Sequence, residues 1–303
     1  MVNPLITKFE AYLLTERRVA QNTFSAYKRD IQQLVKFLLQ KKVPLEAVTA
    51  VTLKEFLHHL NEQNLNSRSI VRKISSLKIL FDYLHERAGI ANAAQDLIFP
   101  KIEKKLPCYL SETEIDQLLQ AAERDTTSEY STRNKVMLYL LYVSGVRVSE
   151  LISIRTSDIQ FDTAFLRVRG KGGRERMIPL PESMLTMLKE YMKNEHRSFT
   201  KKNKENRSTD YLFPIYYGRS VKPISRQAFW GILKNIWKKT GIQRTISPHQ
   251  LRHSLATHLL KKGANLRSLQ MLLGHENLAT VQIYTHVETG YVRKIYDRKH
   301  PRS

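Results

Sequence analysis

Apolar residues recur at the three- and four-residue spacing of a helix along nearly all of this 303-residue chain, and one stretch alone reads as paired strands. That pattern restricts the fold to helices packed on helices, with at most a small sheet. In residues 1–100, Leu5, Phe9, Leu13 and Leu14 mark a first helix. Asn22 or Thr23 stands where a side chain can cap a second helix running through Leu39. Val51 to Leu60 is a third amphipathic run. A fourth opens at Ser67 and reaches Leu84, with Ile70, Ile74, Leu77, Leu80, Phe81 and Leu84 on its apolar face and Arg68, Arg72 and Lys73 on its polar face. The first hundred residues are therefore expected to form a helical bundle.

A charged segment bounded by prolines, PKIEKKLP from Pro100 to Pro107, reads as a linker. It divides the chain into an N-terminal domain, residues 1–100, a linker, residues 101–107, and a C-terminal domain, residues 108–303. The second domain opens with Ser111-Glu112-Thr113-Glu114, a capping box in which serine and glutamate satisfy each other's backbone donors. A strongly apolar helix, Arg133 to Val143, stops at Ser144-Gly145, and a further helical run begins around Val146 to Ile154. The strand pair follows: Phe165–Val168 and Met177–Leu180 flank RGKGGRER, a hairpin with a glycine-rich tip. Residues 194–210 read as a polar, basic loop. Helices resume at Ser225 and continue to about Ile283, before the basic tail GYVRKIYDRKHPRS.

Charge narrows the partner. Fifty Lys and Arg against 28 Asp and Glu give a formal charge of +22. Residues 1–107 carry +7 of it (17 basic, 10 acidic) and the remainder carries +15, so both domains call for a polyanion. Nucleic acid is the first expectation, because phosphate neutralisation supplies most of such affinity. An anionic membrane surface is the alternative, but no run of eighteen apolar residues is present and MVNPLITKFEAYLL lacks the order of a signal peptide, so no membrane insertion is expected. The single cysteine, Cys108, excludes an intramolecular disulfide and suits a reducing cytoplasm.

Phosphodiester cleavage needs a nucleophile, stabilisation of a highly charged transition state, and a proton for the departing oxygen. Residues of each type are present. Arg252 lies one helical turn from His249, so the two share a face. Arg147 follows Gly145 at the start of a helix, where backbone N–H groups also attract phosphate, and Glu150, three residues on, is placed to hold its guanidinium. Lys171, between Gly170 and Gly172 at the hairpin tip, can reach into a groove as a proton donor. Tyr284 comes nine residues after His275; Tyr291 and Tyr296 are its neighbours among fourteen tyrosines. A phenol with its ordinary pKa near 10 needs cations beside it to attack. Each reading has a plain counterpart: arginines in surface salt bridges, a solvated turn lysine, a core tyrosine. His249, His253, His258 and His275 also have tolerable spacing for zinc, but no acid completes H-E-x-x-H and Arg252 would sit beside the metal, so no metal site is expected. His253 and His258 read as packing or capping residues.

Taken together and in order, GVRVSEL, RGKGGRER, SPHQLRHSLATHLL and LLGHENLATVQIYTH resemble the tyrosine recombinase (phage integrase) family, and within it the Xer recombinases. QNTFSAYKRD, residues 21–30, extends the likeness into the N-terminal domain, so it covers nearly the whole chain. LRSLQMLLGH and the terminal HPRS look more like the XerD branch than the XerC branch. The tip Gly173-Arg174 departs from the Asn-Lys common in relatives but leaves Lys171 in place. The resemblance implies a mainly α fold with a small β-sheet in the catalytic domain, a helical core-binding domain before it, and a C-shaped clamp on DNA. It implies an active site of Arg147, Lys171, His249, Arg252, His275 and Tyr284, with Glu150 in support. Tyr284 would be the nucleophile, forming a 3′-phosphotyrosyl link. Lys171 would protonate the 5′-oxygen, Arg147, Arg252 and His275 would stabilise the transition state, and His249 would handle the tyrosine proton or its orientation. No cofactor, ATP or metal is required. Double-stranded DNA would be the partner, within a heterotetramer formed with a second, XerC-like recombinase or within a homotetramer. A relaxing topoisomerase with the same chemistry, or a non-catalytic DNA-binding regulator, are the rival functions.

Overall fold

The computed structural model describes residues 3–63, 65–100, 109–170, 173–197, 210–217 and 220–274. The chain divides into two compact units, Met1–Lys105 and Leu106–Ser303. Residues 101–108, which include the expected linker and Cys108, lie outside the described residues.

The first unit contains α1 (Pro4–Thr15), α2 (Gln21–Lys41), α3 (Ala50–Glu62) and α4 (Ser67–Ala88). Asn3 caps α1 by accepting from Leu5 N at 2.9 Å, and Pro4 supplies a first-turn residue whose missing N–H costs nothing there. Thr49 and Thr52 form a reciprocal cap at the start of α3. At α2 the N-cap is Ala20, with no side-chain cap, and Asn22 and Thr23 lie inside the helix rather than before it. The six apolar positions read along α4 are all buried, and they pack with Phe9, Leu13, Leu34, Leu53 and Phe56 in one core.

One polar residue of α4 departs from its expected place. Lys73 is buried, not on the polar face: its Nζ donates to Asp30 Oδ1 at 2.8 Å and to Gln33 Oε1, both on α2. Arg72 joins the same buried carboxylate through Nη1, which also reaches Ala26 O at 3.3 Å, while its side chain stays partly exposed. An amphipathic reading of α4 could not detect this, because the charge that draws Lys73 inward comes from α2, 43 residues away. Lys73 is thereby removed from the candidate DNA-binding residues.

The second unit opens on α5 (Glu112–Arg124), whose Ser111–Glu114 box has both bonds: Glu114 N to Ser111 Oγ at 3.1 Å and Ser111 N to Glu114 Oε2 at 2.8 Å. Next, α6 (Ser131–Ser144) opens on a polar turn and then runs apolar from Val136 to Val143, buried throughout except at the half-buried Tyr139, as a central helix must be. The helical run expected over 146–154 is shorter, α7 (Val148–Leu151). β1 (Ile159–Gln160), β2 (Phe165–Arg169) and β3 (Glu175–Pro179) form an antiparallel sheet in that order, with Leu166 opposite Ile178 and Val168 opposite Arg176. After α8 (Glu182–Tyr191), β4 (Pro214–Tyr217) and β5 (Ser220–Pro223) form a second hairpin that periodicity did not reveal. Four-residue strands with proline at an end carry too little alternation to register. The helices α9 (Arg226–Trp237), α10 (Pro248–Lys261) and α11 (Leu266–Leu273) complete the described unit around a core that includes Leu141, Leu166, Phe213, Phe229 and Leu255. Among the described residues no helix is long and apolar enough to cross a membrane.

Candidate active site

Four segments of the second unit meet at one corner: the turn from α6 into α7, strand β3, helix α10 and the end of α11. The turn exists because Gly145 ends α6 in the left-handed region, φ +60°, its N–H bonded to Leu141 O at 3.0 Å. A Cβ there would sit 2.7 Å from Leu255 Cδ2 and 2.8 Å from Leu273 Cδ2, so the backbone passes directly over α10 and α11. The chain then leaves a buried Val146 and places Arg147 as the N-cap residue of α7, with Glu150 at N3.

Glu150 is the hub. Its Oε2 accepts from Arg147 N at 2.8 Å and from Arg176 Nη2 at 2.7 Å; its Oε1 accepts from Arg147 Nη1 at 2.9 Å and from Arg176 Nη1 at 3.0 Å. Burial alone would push this carboxyl up. The hydrogen bonds and charge of Arg176, followed by those of Arg147, outweigh it and hold the group at about 2, so it is ionised throughout the physiological range.

Arg252 enters from α10 and is fixed by two carbonyls, Gly145 O through Nη1 and Leu273 O through Nη2. Arg147 Nη2 reaches Gly274 O at 3.2 Å, so both arginines are tied to the end of α11. Burial, followed by repulsion from Arg147 and Arg176, lowers Arg252 to about 10, which still leaves it a cation at neutral pH. Two guanidinium groups, those of Arg147 and Arg176, share one carboxylate here, and Arg252 is a third cation beside them. Among the described residues Arg252 has only neutral carbonyls as direct partners, and the Arg147 side chain is 37% exposed. Among the described residues the corner is therefore short of negative charge and open at Arg147, the condition for binding an anion.

Of the expected site residues, the structure brings Arg147, Glu150 and Arg252 together. His249 stands in the first turn of α10, one turn before Arg252, and is exposed. Lys171, His275 and Tyr284 lie outside the described residues, as do the side chain of Arg68 and most of the basic loop. Gly170 N donates to Arg174 O at 2.7 Å, so the described base of the hairpin ends one residue before Lys171, and Gly274 precedes His275 directly. His258 is buried between Tyr142 Oη, 2.9 Å from Nδ1, and Leu110 O, 2.8 Å from Nε2, a packing role as expected; His253 is exposed and does not share it. Among the described residues no three His, Cys, Asp or Glu side chains group as a metal site.

Arg176 was not anticipated. The available signal was its phase: it shares the inward face of β3 with Ile178, where an arginine needs a buried acid as partner.

Residues 108–290 match the phage integrase family, and residues 6–88 match the N-terminal SAM-like domain of phage integrases. The tyrosine recombinase XerD of Oceanobacillus iheyensis is 38% identical over 306 residues, covering 100% of both chains. The XerD of Vibrio cholerae is 36% identical, covering 99% of this chain and 97% of that one. Among solved structures, XerH recombinase bound to its difH substrate has a TM-score of 0.68 at 20% identity, covering 97% of this chain and 82% of that one. A lambda integrase (75–356) dimer bound to a COC′ core site has a TM-score of 0.66 at 22% identity, covering 92% and 98%. Those two likenesses show a shared fold, and the sequence matches carry the family: the chain belongs to the phage integrase family of tyrosine recombinases and is XerD-like.

Proposed function

We propose that this chain is a site-specific recombinase that cuts and rejoins double-stranded DNA through a 3′-phosphotyrosyl intermediate. The observation that carries the reading is the corner where Arg147 and Arg252, held by Glu150 and by three carbonyls, leave positive charge uncompensated among the described residues, which end one residue before His275. In this reading Tyr284 Oη attacks the scissile phosphorus. The new P–O bond to tyrosine forms as the bond to the 5′-oxygen breaks, and that oxygen takes a proton from Lys171. His249 receives or orients the tyrosine proton. Arg147, Arg252 and His275 stabilise the charge that builds on the non-bridging oxygens. One phosphodiester replaces another, so rejoining by a 5′-hydroxyl is nearly isoenergetic and needs no nucleotide hydrolysis.

The basic excess of both units supports duplex DNA as partner, with Arg68 and Arg72 of α4 as contacts in the first unit. The XerD relatives support a Xer-type task in the cytoplasm, resolution of chromosome dimers at cell division, in a tetramer with a second recombinase of the XerC kind or with copies of this chain. Tyr284→Phe is expected to bind its site as the wild type does and to form no covalent adduct. Sequencing DNA trapped covalently on the wild-type protein defines the site. A nicked duplex of that sequence, resolved on denaturing gels, then compares the two proteins; adduct persisting in Tyr284→Phe overturns the assignment.

A further inference from the structure

Among the described residues Arg176 is the arginine of the corner that pairs with Glu150 through both of its terminal nitrogens. Its Nη1 and Nη2 grip Glu150 in a bidentate pair, and its Nε donates to Leu272 O at 3.1 Å, so every nitrogen has a partner. Among the described residues Arg252, similarly buried, meets only carbonyls, which leave its charge available to a ligand. Arg176 and Glu150 are 6% and 5% exposed, which closes Arg176 to a phosphate from outside. Its location matters as much as its contacts. It lies on β3, five residues after Lys171 in the chain, and holds the turn carrying Arg147 and the helix end that precedes His275 in sequence. Gly274 lets it lie close: a Cβ at that position would be 3.2 Å from Arg176 Cδ and Nη1.

The geometry points to Arg176 as a positioning residue for strand transfer, which sets the orientation of the Arg147 guanidinium through Glu150 and ties the hairpin to the end of α11. It rests on the function proposed above. Glu150 accepts four hydrogen bonds, two from Arg147 and two from Arg176. The Arg176 pair fixes the plane of the carboxylate, and the plane fixes where Nη1 of Arg147 can point. Without Arg176 the carboxylate can turn about its own bond, and Arg147 follows it away from the phosphate. DNA affinity, set by contacts that Arg176 does not make, should stay near wild type.

The test compares two scissile groups in the trapped DNA sequence: the natural phosphodiester, and a methylphosphonate in which one non-bridging oxygen is a neutral methyl. The second substrate builds one negative charge fewer in its transition state and depends less on a well-aimed guanidinium. Arg176→Met is expected to release the 5′-strand about 100-fold more slowly than wild type from the phosphodiester, the cost of a displacement of about 1 Å in a catalytic group. Its deficit on the methylphosphonate should be much smaller. Arg176→Lys keeps a charge beside Glu150 but replaces a three-nitrogen grip by one; it should lose less and show the same selective recovery. If Arg176→Met does not fold, the Lys variant decides. Equal deficits on both substrates would make Arg176 merely structural and overturn the role, as would full-rate cleavage of the phosphodiester. Those outcomes require an active wild type. A wild type that releases no strand from either substrate overturns the recombinase reading itself, and this role with it.

Discussion

Glu150 shows how one buried carboxylate can organise a cationic site without neutralising it. Four donors converge on its two oxygens, so its ionised form is far better solvated by protein than burial alone would allow. Its folded pKa, about 2, lies below the ordinary 4.5. The stabilisation it contributes is therefore complete above the ordinary value and is lost as pH falls towards the folded one. Denaturant midpoints of wild type and Glu150→Gln, measured side by side, should differ at neutral pH. The gap should close between about pH 4.5 and about pH 2; a gap unchanged across that window would mean that the ion pairs contribute nothing. At the same scale, Arg147 and Arg252 were legible in the sequence because each lies within a turn of a residue that marks it, Glu150 or His249. Arg176 was not, because its partners Glu150 and Leu272 lie 26 and 96 residues away.

At the scale of elements, two joints hold the machinery. The first is the α6–α7 turn, where Gly145 meets both the conformational and the steric requirement. Gly145→Ala puts a methyl against Leu255 and Leu273, both buried, at a positive φ that alanine resists. A loss of about 2 kcal/mol is expected in chemical denaturation. Cleavage should fall as well, since Gly145 O anchors Arg252. The second joint is the α2–α4 contact, where Asp30 lies between Lys73 and Arg72. Lys73→Met leaves Asp30 buried with one partner, and should cost about 3 kcal/mol, because a buried charge that loses a counter-ion keeps its desolvation penalty. Hydrogen exchange of the α2 and α4 amides in the full chain would read it locally. Protection equal to wild type would show that Arg72 alone suffices.

At the scale of the whole molecule the dominant fact is charge. A formal +22 over 303 residues, divided between both units, predicts binding to duplex DNA that weakens linearly in log affinity against log salt concentration. For roughly six to ten phosphates neutralised, affinity should fall about 10³–10⁵-fold between about 50 mM and about 200 mM salt. Fluorescence anisotropy over that range measures the slope. A flat response would show that the basic excess is surface solvation and not a DNA footprint.

The sequence by itself determined the helical class, the apolar face of α4, the α5 capping box, the β2–β3 hairpin and the family, because these depend on neighbours within one or two turns or on motifs in fixed order. Only the tertiary structure decided which charged side chains stay in solvent. Lys73 and Arg72 occupy adjacent positions on α4, yet Asp30 of α2 draws one fully into the interior and leaves the other partly exposed. Arg176 alternates with Ile178 as a core residue would, and its meaning appears only when β3 comes up against Glu150. Hydrophobic periodicity is local and therefore readable along the chain. The pairing of buried charges is set by whichever segments the fold brings together, and no spacing in the chain encodes it.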